Sequence, residues 1–322
     1  MSEIVIQVED LHTSFFTRAG EVKAVDGISF FVREAETFGL VGESACGKTV
    51  TGLSILRLLP EPAGQVVGGR IIFESRNLLD LSKKQMRAYR GNKIAMILQD
   101  PMTSLNPVYT IGDQIAESVR LHQALPENMV EPEVISALRL LKIPAPETRL
   151  NDYPFQMSGG MRQRVVGSIA MSCRPRLLIA DEPTTALDAT IQAQYIALFK
   201  DIQKKTNVAI LFITHDFGVV ANMCHRVGVM YAGKIVETAP TREIFKAPRH
   251  PYTSALINSV PHLDRKDKRL YSIEGQPPSL LNLPPGCRFA PRCPVTMDIC
   301  KEQQPPEIKL SDSHSVSCWK VK

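Results

Sequence analysis

Short runs of aliphatic and β-branched residues recur at positions 4–8, 37–41, 93–98, 177–180 and 208–214, and several are apolar at successive rather than alternate positions. A strand that is apolar on both faces has to be buried on both, which is the situation of a largely parallel sheet covered by helices. Between these runs, residues 48–59, 111–123, 132–141, 160–173 and 191–204 repeat their apolar positions at helical spacing. The alternation predicts an α/β fold with helices on both faces of the sheet. Residues 100–153 carry no convincing strand pattern and read as a helical insertion. From about Pro261 the texture changes, with a charge run from Asp264 to Arg269 and then the proline clusters Gln276-Pro277-Pro278 and Leu283-Pro284-Pro285-Gly286. Lost periodicity and dense proline mark a small, loop-rich appendage. The expected organisation is a main domain over residues 1–260, with a helical subdomain at about 100–170, and an appendage over 261–322.

Composition changes this picture little. With 44% hydrophobic and 22% charged residues over 322 positions, the chain is an ordinary globular protein, and disorder is excluded as the default. A net charge of +5 is mild. No stretch approaches the roughly 18 apolar residues of a membrane span. The N-terminal residues lack the basic and apolar regions of a secretory signal, so the expected compartment is the cytosol. Of seven cysteines, Cys287, Cys293, Cys300 and Cys318 crowd near the end. A reducing compartment argues against disulfides there and favours a metal. Their spacing contains no Cys-x2-Cys pair, so the identity of the metal stays open, beside a reading as buried reduced thiols.

The chemistry begins at Gly42-Glu43-Ser44-Ala45-Cys46-Gly47-Lys48-Thr49, which matches the phosphate-loop pattern. It follows an apolar strand pattern and opens the helical run at Val50, as the motif requires. Glycines let the backbone turn its N–H groups onto phosphate oxygens, and the following helix adds its positive end. Lys48 is expected on the β- and γ-phosphates and the Thr49 hydroxyl on Mg²⁺. Cys46, near a helix N-terminus that lowers thiol pKa values, is either a small filler or an alkylation-sensitive thiol shielded by ATP.

A phosphate loop alone also fits a kinase, a GTPase or a helicase. The decisive element is Met157-Ser158-Gly159-Gly160-Met161-Arg162-Gln163-Arg164, followed by an apolar run ending in Asp181-Glu182. Here the chain resembles the ABC (ATP-binding cassette) ATPase family, whose signature it departs from only at Met157 and Met161. A serine and two glycines opening a helix make a second anion site. The resemblance implies that Ser158, Gly159 and Gly160 meet the ATP held by a partner cassette, so that two cassettes sandwich two ATP molecules. It implies a P-loop cassette fold, a mixed sheet core with a helical subdomain. Asp181 then holds Mg²⁺, where oxygen ligands suit the ion, and Glu182 is the general base for the attacking water. Gln99 is implied as the glutamine that senses Mg²⁺ and water, Ala186-Leu187-Asp188 as the loop crossing the dimer, and His215 as the γ-phosphate contact. Phe15 or Phe16 is implied to stack on adenine.

Further residues narrow the resemblance. Arg249-His250-Pro251-Tyr252-Thr253, the stretch from Gly286 to Pro294, and Ser317-Cys318 look like the C-terminal extension of oligopeptide and dipeptide importer ATPases, with the D-type dipeptide branch nearest. In that family the four tail cysteines are associated with a 4Fe–4S cluster. The resemblance further implies two transmembrane permease subunits, a homologous second ATPase, an external peptide-binding protein, no nucleic acid, and a peripheral place on the cytoplasmic face of the membrane. Related layouts carry nickel, glutathione or antimicrobial peptides. A soluble ABC ATPase and a redox- or iron-sensing module are the readings from other classes; the complete hydrolytic set counts against the second.

Overall fold

The computed structural model describes residues 3–100, 104–185, 187–260 and 272–321. Its strands are β1 (Ile4–Thr17), β2 (Gly20–Arg33), β3 (Thr37–Val41), β4 (Gly64–Phe73), β5 (Arg76–Asn77), β6 (Ile94–Ile97), β7 (Leu177–Asp181), β8 (Ala209–Thr214), β9 (Arg226–Tyr231), β10 (Lys234–Pro240), β11 (Ile308–Ser311) and β12 (His314–Val316). Every residue of β3, β7 and β8 is buried, which is why their sequences are apolar on both faces. β1 runs well beyond the expected residues 4–8. Its inward positions change phase from Ile6 and Val8 to Leu11 and Thr13, across Asp10 at φ 45°, and such a break ends a period-2 signal early.

The chain forms two compact units. The first gathers residues up to Ile6, Val32–Glu36 and Asp80–Phe212. In it β6 and β7 pair in parallel, Ile94 against Leu177 through Ile97 against Ala180. No strand lies between residues 98 and 176 among the described residues. The helices Ile111–His122, Val130–Leu140 and Gly159–Met171 pack through Ile115, Val119, Val134, Leu138 and Val165, all at most 1% exposed. Thr110 starts the first of them by accepting the Asp113 N–H at 3.1 Å.

The second unit comprises Gln7–Phe31, Thr37–Leu79 and the chain from Ile213 onward. It holds the sheet β2-β1-β4-β5, apart from the ends of β1 and β2, and a mixed array in the order β11-β12-β10-β9-β3. β3 and β9 are parallel, and β10 is antiparallel to both β9 and β12. The proline-rich tail is mostly loop, but its last part adds the β11–β12 hairpin to this array. These strands are short and largely polar, so they carried no hydrophobic period. The charge run at 264–269 and the expected boundary after residue 260 lie outside the described residues.

Buried Glu237 on β10 fastens the tail. Its carboxylate accepts the N–H groups of Arg249 (2.8 Å) and His250 (3.0 Å), and His314 Nε2 lies 2.9 Å away. His250 in turn caps the helix Pro251–Asn258, its Nδ1 accepting the Tyr252 N–H at 3.0 Å. That ring is 1% exposed, and burial pushes its pKa from 6.5 down to about 4. The unfolded chain therefore binds the extra proton between pH 6.5 and 4, and the folded chain does not. The stability from neutral His250 is complete above pH 6.5 and falls as pH drops toward 4, by about 3 kcal/mol in all. His250→Asn keeps a capping acceptor without the titration. Its unfolding free energy, measured in urea at pH 7 and 4.5, is expected to fall about 2 kcal/mol less between the two than that of the parent. An equal fall would assign the acid sensitivity elsewhere.

Candidate functional site

In the second unit β3 ends at Val41 and the chain turns at once into the phosphate loop. Gly42 (φ 156°) and Gly47 (φ 109°) sit where a Cβ would come within 2.1 Å of the Met230 carbonyl oxygen and 2.3 Å of the Ala24 carbonyl oxygen, respectively. Gly47 lies in the left-handed region as well, so the site excludes a side chain on two grounds. The Gly233 N–H donates to the Cys46 carbonyl at 2.9 Å and closes the loop's back. Ser44 and Ala45 remain exposed on its front. Lys48, 4% exposed, donates from Nζ to the Gly42 carbonyl (2.8 Å) and the Glu43 carbonyl (2.9 Å). Its remaining contact is the Cys46 sulfur at 3.8 Å, and an ammonium held by carbonyl dipoles and a weak sulfur acceptor is ready to exchange them for phosphate oxygens. Thr49 and Val50 lie in the first turn of the helix Lys48–Leu56, which has no side-chain cap and turns its positive end toward the loop, as suits an anion.

Two members of the loop differ from expectation. Glu43 gives its carbonyl to Lys48, but its N–H donates to the Tyr252 hydroxyl at 3.0 Å and its carboxylate pairs with Arg292. Cys46 is 5% exposed, and burial outweighs the neighbouring Lys48 charge and pushes its thiol pKa up. Both features favour the filler reading over the reactive one.

Phe15 and Phe16 fall on opposite faces of β1. Thr13, two residues before Phe15, bonds at 2.9 Å to Ser54 of the helix that follows the phosphate loop, so Phe15 shares that face. Its ring edge lies against Gly64, whereas Phe16 is 47% exposed on the other face. His215 leaves the end of β8 with its side chain exposed, and Asp216 caps the next helix.

The first unit carries the other set. Gln99 follows the end of β6 by two residues and Asp181 and Glu182 close β7, so all three lie toward the carboxyl end of this parallel pair. Carboxyl ends of parallel strands are where α/β proteins bind ligands. Asp181 is fully buried and Glu182 is 8% exposed at φ 45°, a conformation that re-aims its carboxylate as β7 ends. Thr185 donates its hydroxyl to Glu182 at 2.9 Å. Ser158 caps the helix Gly159–Met171, and around Gly159 a Cβ would meet nothing within 4 Å, leaving the helix start open. Asp188 is an N-cap too, accepting the N–H groups of Thr190 (3.0 Å) and Ile191 (2.9 Å). Ala186 lies outside the described residues.

Cys287, Cys293, Cys300 and Cys318 line one small pocket, closed by apolar groups including Phe289, Val295 and Met297. Burial and the proximity of the other thiols push Cys287, Cys293 and Cys318 up, so the thiols stay protonated without a cation among them. Among the described residues, no three His, Cys, Asp or Glu side chains stand in the arrangement of a formed metal site. The four soft donors and their apolar wall suit a thiolate-bound centre in chemistry. Sequence reasoning passed over Tyr252 and Arg292 as parts of the site, since no motif announces them.

Comparison with known proteins gives the following. The ABC transporter pattern matches residues 25–185, and the oligopeptide/dipeptide transporter C-terminal region matches residues 236–300. The dipeptide transport ATP-binding protein DppD of Bacillus subtilis (strain 168) is 52% identical over 98% of this chain and 95% of its own. The oligopeptide transport ATP-binding protein OppD of the same organism is 50% identical over 98% of this chain and 88% of its own. Among solved structures, a dimer of the ATP-binding cassette MJ0796 in a post-hydrolysis state bound to ADP and Pi superposes with a TM-score of 0.64. At 20% identity over 74% of this chain and 99% of that one, it bears on fold alone.

The buried Cys46 thiol has a measurable consequence. In the native chain its alkylation by iodoacetamide, followed by peptide mass spectrometry, is expected to be about a hundredfold slower than in urea, with or without ATP. Rapid native labelling that ATP suppresses would reinstate the reactive thiol.

Proposed function

The chain belongs to the ABC transporter family as an ATP-binding subunit, and from that premise we propose that it hydrolyses ATP to drive peptide import through a membrane complex. The observation that carries this reading is the glycine-backed phosphate loop, its helix without a side-chain cap and Lys48 held on two loop carbonyls, in a chain half identical to named peptide-transport subunits.

In this reading Lys48 and the loop amides bind the phosphates, and Phe15 meets the adenine. Thr49, Gln99 and Asp181 hold Mg²⁺, which, when bound, neutralises charge on the β- and γ-phosphates. Glu182 accepts a proton from the water that attacks the γ-phosphate, with Thr185 steadying the carboxylate. His215 contacts the γ-phosphate. Ser158, Gly159 and Gly160 cover the ATP of a second, homologous ATPase, and Asp188 holds the start of its helix at that interface. Closure of the pair moves the helical subdomain, which drives two permease subunits; an external peptide-binding protein delivers the substrate. No helix among the described residues is long and apolar enough to cross a membrane, in keeping with a peripheral place on its cytoplasmic face. Residues 1–260 form the ATPase domain and 261–322 the extension, whose four cysteines hold a 4Fe–4S cluster. The clustering of the four thiols around one pocket supports this last assignment.

Two measurements test the reading. Glu182→Gln is expected to bind ATP as the parent does but to lose hydrolysis by at least about a hundredfold, and to accumulate as an ATP-bound pair in gel filtration. Full turnover in that variant would remove Glu182 from its role. Anaerobically purified protein is expected to contain iron and acid-labile sulfide in equal amounts; zinc without iron or sulfide would rule the cluster out.

A further inference from the structure

The phosphate loop is held from an unexpected direction. Arg292, one residue before Cys293 in the tail, reaches Glu43, the second residue of the loop, across 249 positions of sequence. Its Nη1 donates to Glu43 Oε2 at 2.8 Å and its Nη2 to Oε1 at 3.0 Å, a two-pronged pair with the arginine side chain only 5% exposed. The remaining N–H groups are also used: Nη1 to the Tyr231 hydroxyl (3.3 Å), Nη2 to the Ile273 carbonyl (3.3 Å), and Nε to the Glu274 carbonyl (3.1 Å). A guanidinium has five such donors, and here each has an acceptor. Arg292 therefore has no donor left for a nucleotide, and its reach into the site ends at Glu43.

Glu43 itself is fixed at three points. Tyr252 accepts its N–H, Lys48 donates to its carbonyl, and Arg292 takes its carboxylate. When Lys48 leaves for a phosphate, Tyr252 and Arg292 still hold Glu43. Both anchors sit on one aromatic cluster. Tyr231 and Tyr252 lie 4.6 Å apart between ring centroids, and each is 5.3 Å from Phe289, which follows Cys287 by two residues.

We propose that Arg292 is a positioning residue of the nucleotide site, holding the first turn of the phosphate loop through Glu43 so that the cysteine-bearing tail sets the loop's affinity for ATP. The proposal rests on the reading that this loop binds ATP. A lysine cannot replace the arginine in full, because a single ammonium does not reproduce the planar fork.

The test is a double-mutant cycle on the full-length chain, with ATP affinity, KM and kcat measured for the parent, Arg292→Gln, Glu43→Gln and the double variant. Each single change is expected to weaken ATP binding about tenfold while kcat at saturating ATP stays within about twofold. The double variant is expected to be no weaker than the weaker single, and Arg292→Lys to recover part of the loss. Single variants within about twofold of the parent in affinity, or a double variant whose loss is the product of the two, would overturn the proposal. Glu43→Gln leaves the tail sequence intact, so it carries the test alone should the Arg292 variants melt early. A parent chain that fails to bind ATP would instead contradict the function proposed above, whereas variants equal to an ATP-binding parent contradict only the role of Arg292.

Discussion

A loop made to cradle phosphate exposes backbone amides and has almost no side chains with which to pack, so its shape must be imposed by its surroundings. In this chain the imposition is close. Gly42 and Gly47 lie so near the carbonyls of Met230 and Ala24 that a methyl group fits at neither. Gly233 fixes the back of the loop through Cys46, and Tyr252 and Arg292 fix its first turn. Much of the second unit follows from this requirement. β9 and β3 run in parallel to bring Met230 beneath the loop, and the tail folds back to bring Arg292 to its side.

The same surroundings decide the chemistry of the cysteines. A helix N-terminus and a neighbouring lysine both favour a thiolate at Cys46, yet removing the thiol from water costs more, and its pKa rises. At the tail, burial and the neighbouring thiols together push Cys287, Cys293 and Cys318 up. The cluster proposed for the tail, where four sulfurs line one pocket, would reverse that balance there.

What was legible in the sequence was local. The phosphate loop, the serine-glycine-glycine helix start and the Asp181-Glu182 strand end each announce themselves within a few residues, and β3, β6, β7 and β8 are readable because burial on both faces makes them continuously apolar. The extent of β1 was hidden by the phase change at Asp10, and the β11–β12 hairpin by strands too short and polar to show a period. The Arg292–Glu43 pair was illegible for a different reason. Two charges 249 positions apart carry no mark of their pairing until the fold joins them. Asp188 was read for an interface, while its immediate work is to cap a helix, a role that Asp before a helical run also signals.

The central claim is that ATP hydrolysis by this chain powers peptide entry. It is tested most directly by uptake of a labelled dipeptide into source cells carrying either the parent chain or Glu182→Gln, at matched protein levels. Uptake in the parent and its loss in the variant is the predicted result. Undiminished uptake in the variant would contradict the claim and direct the search to other cargo, such as nickel or glutathione.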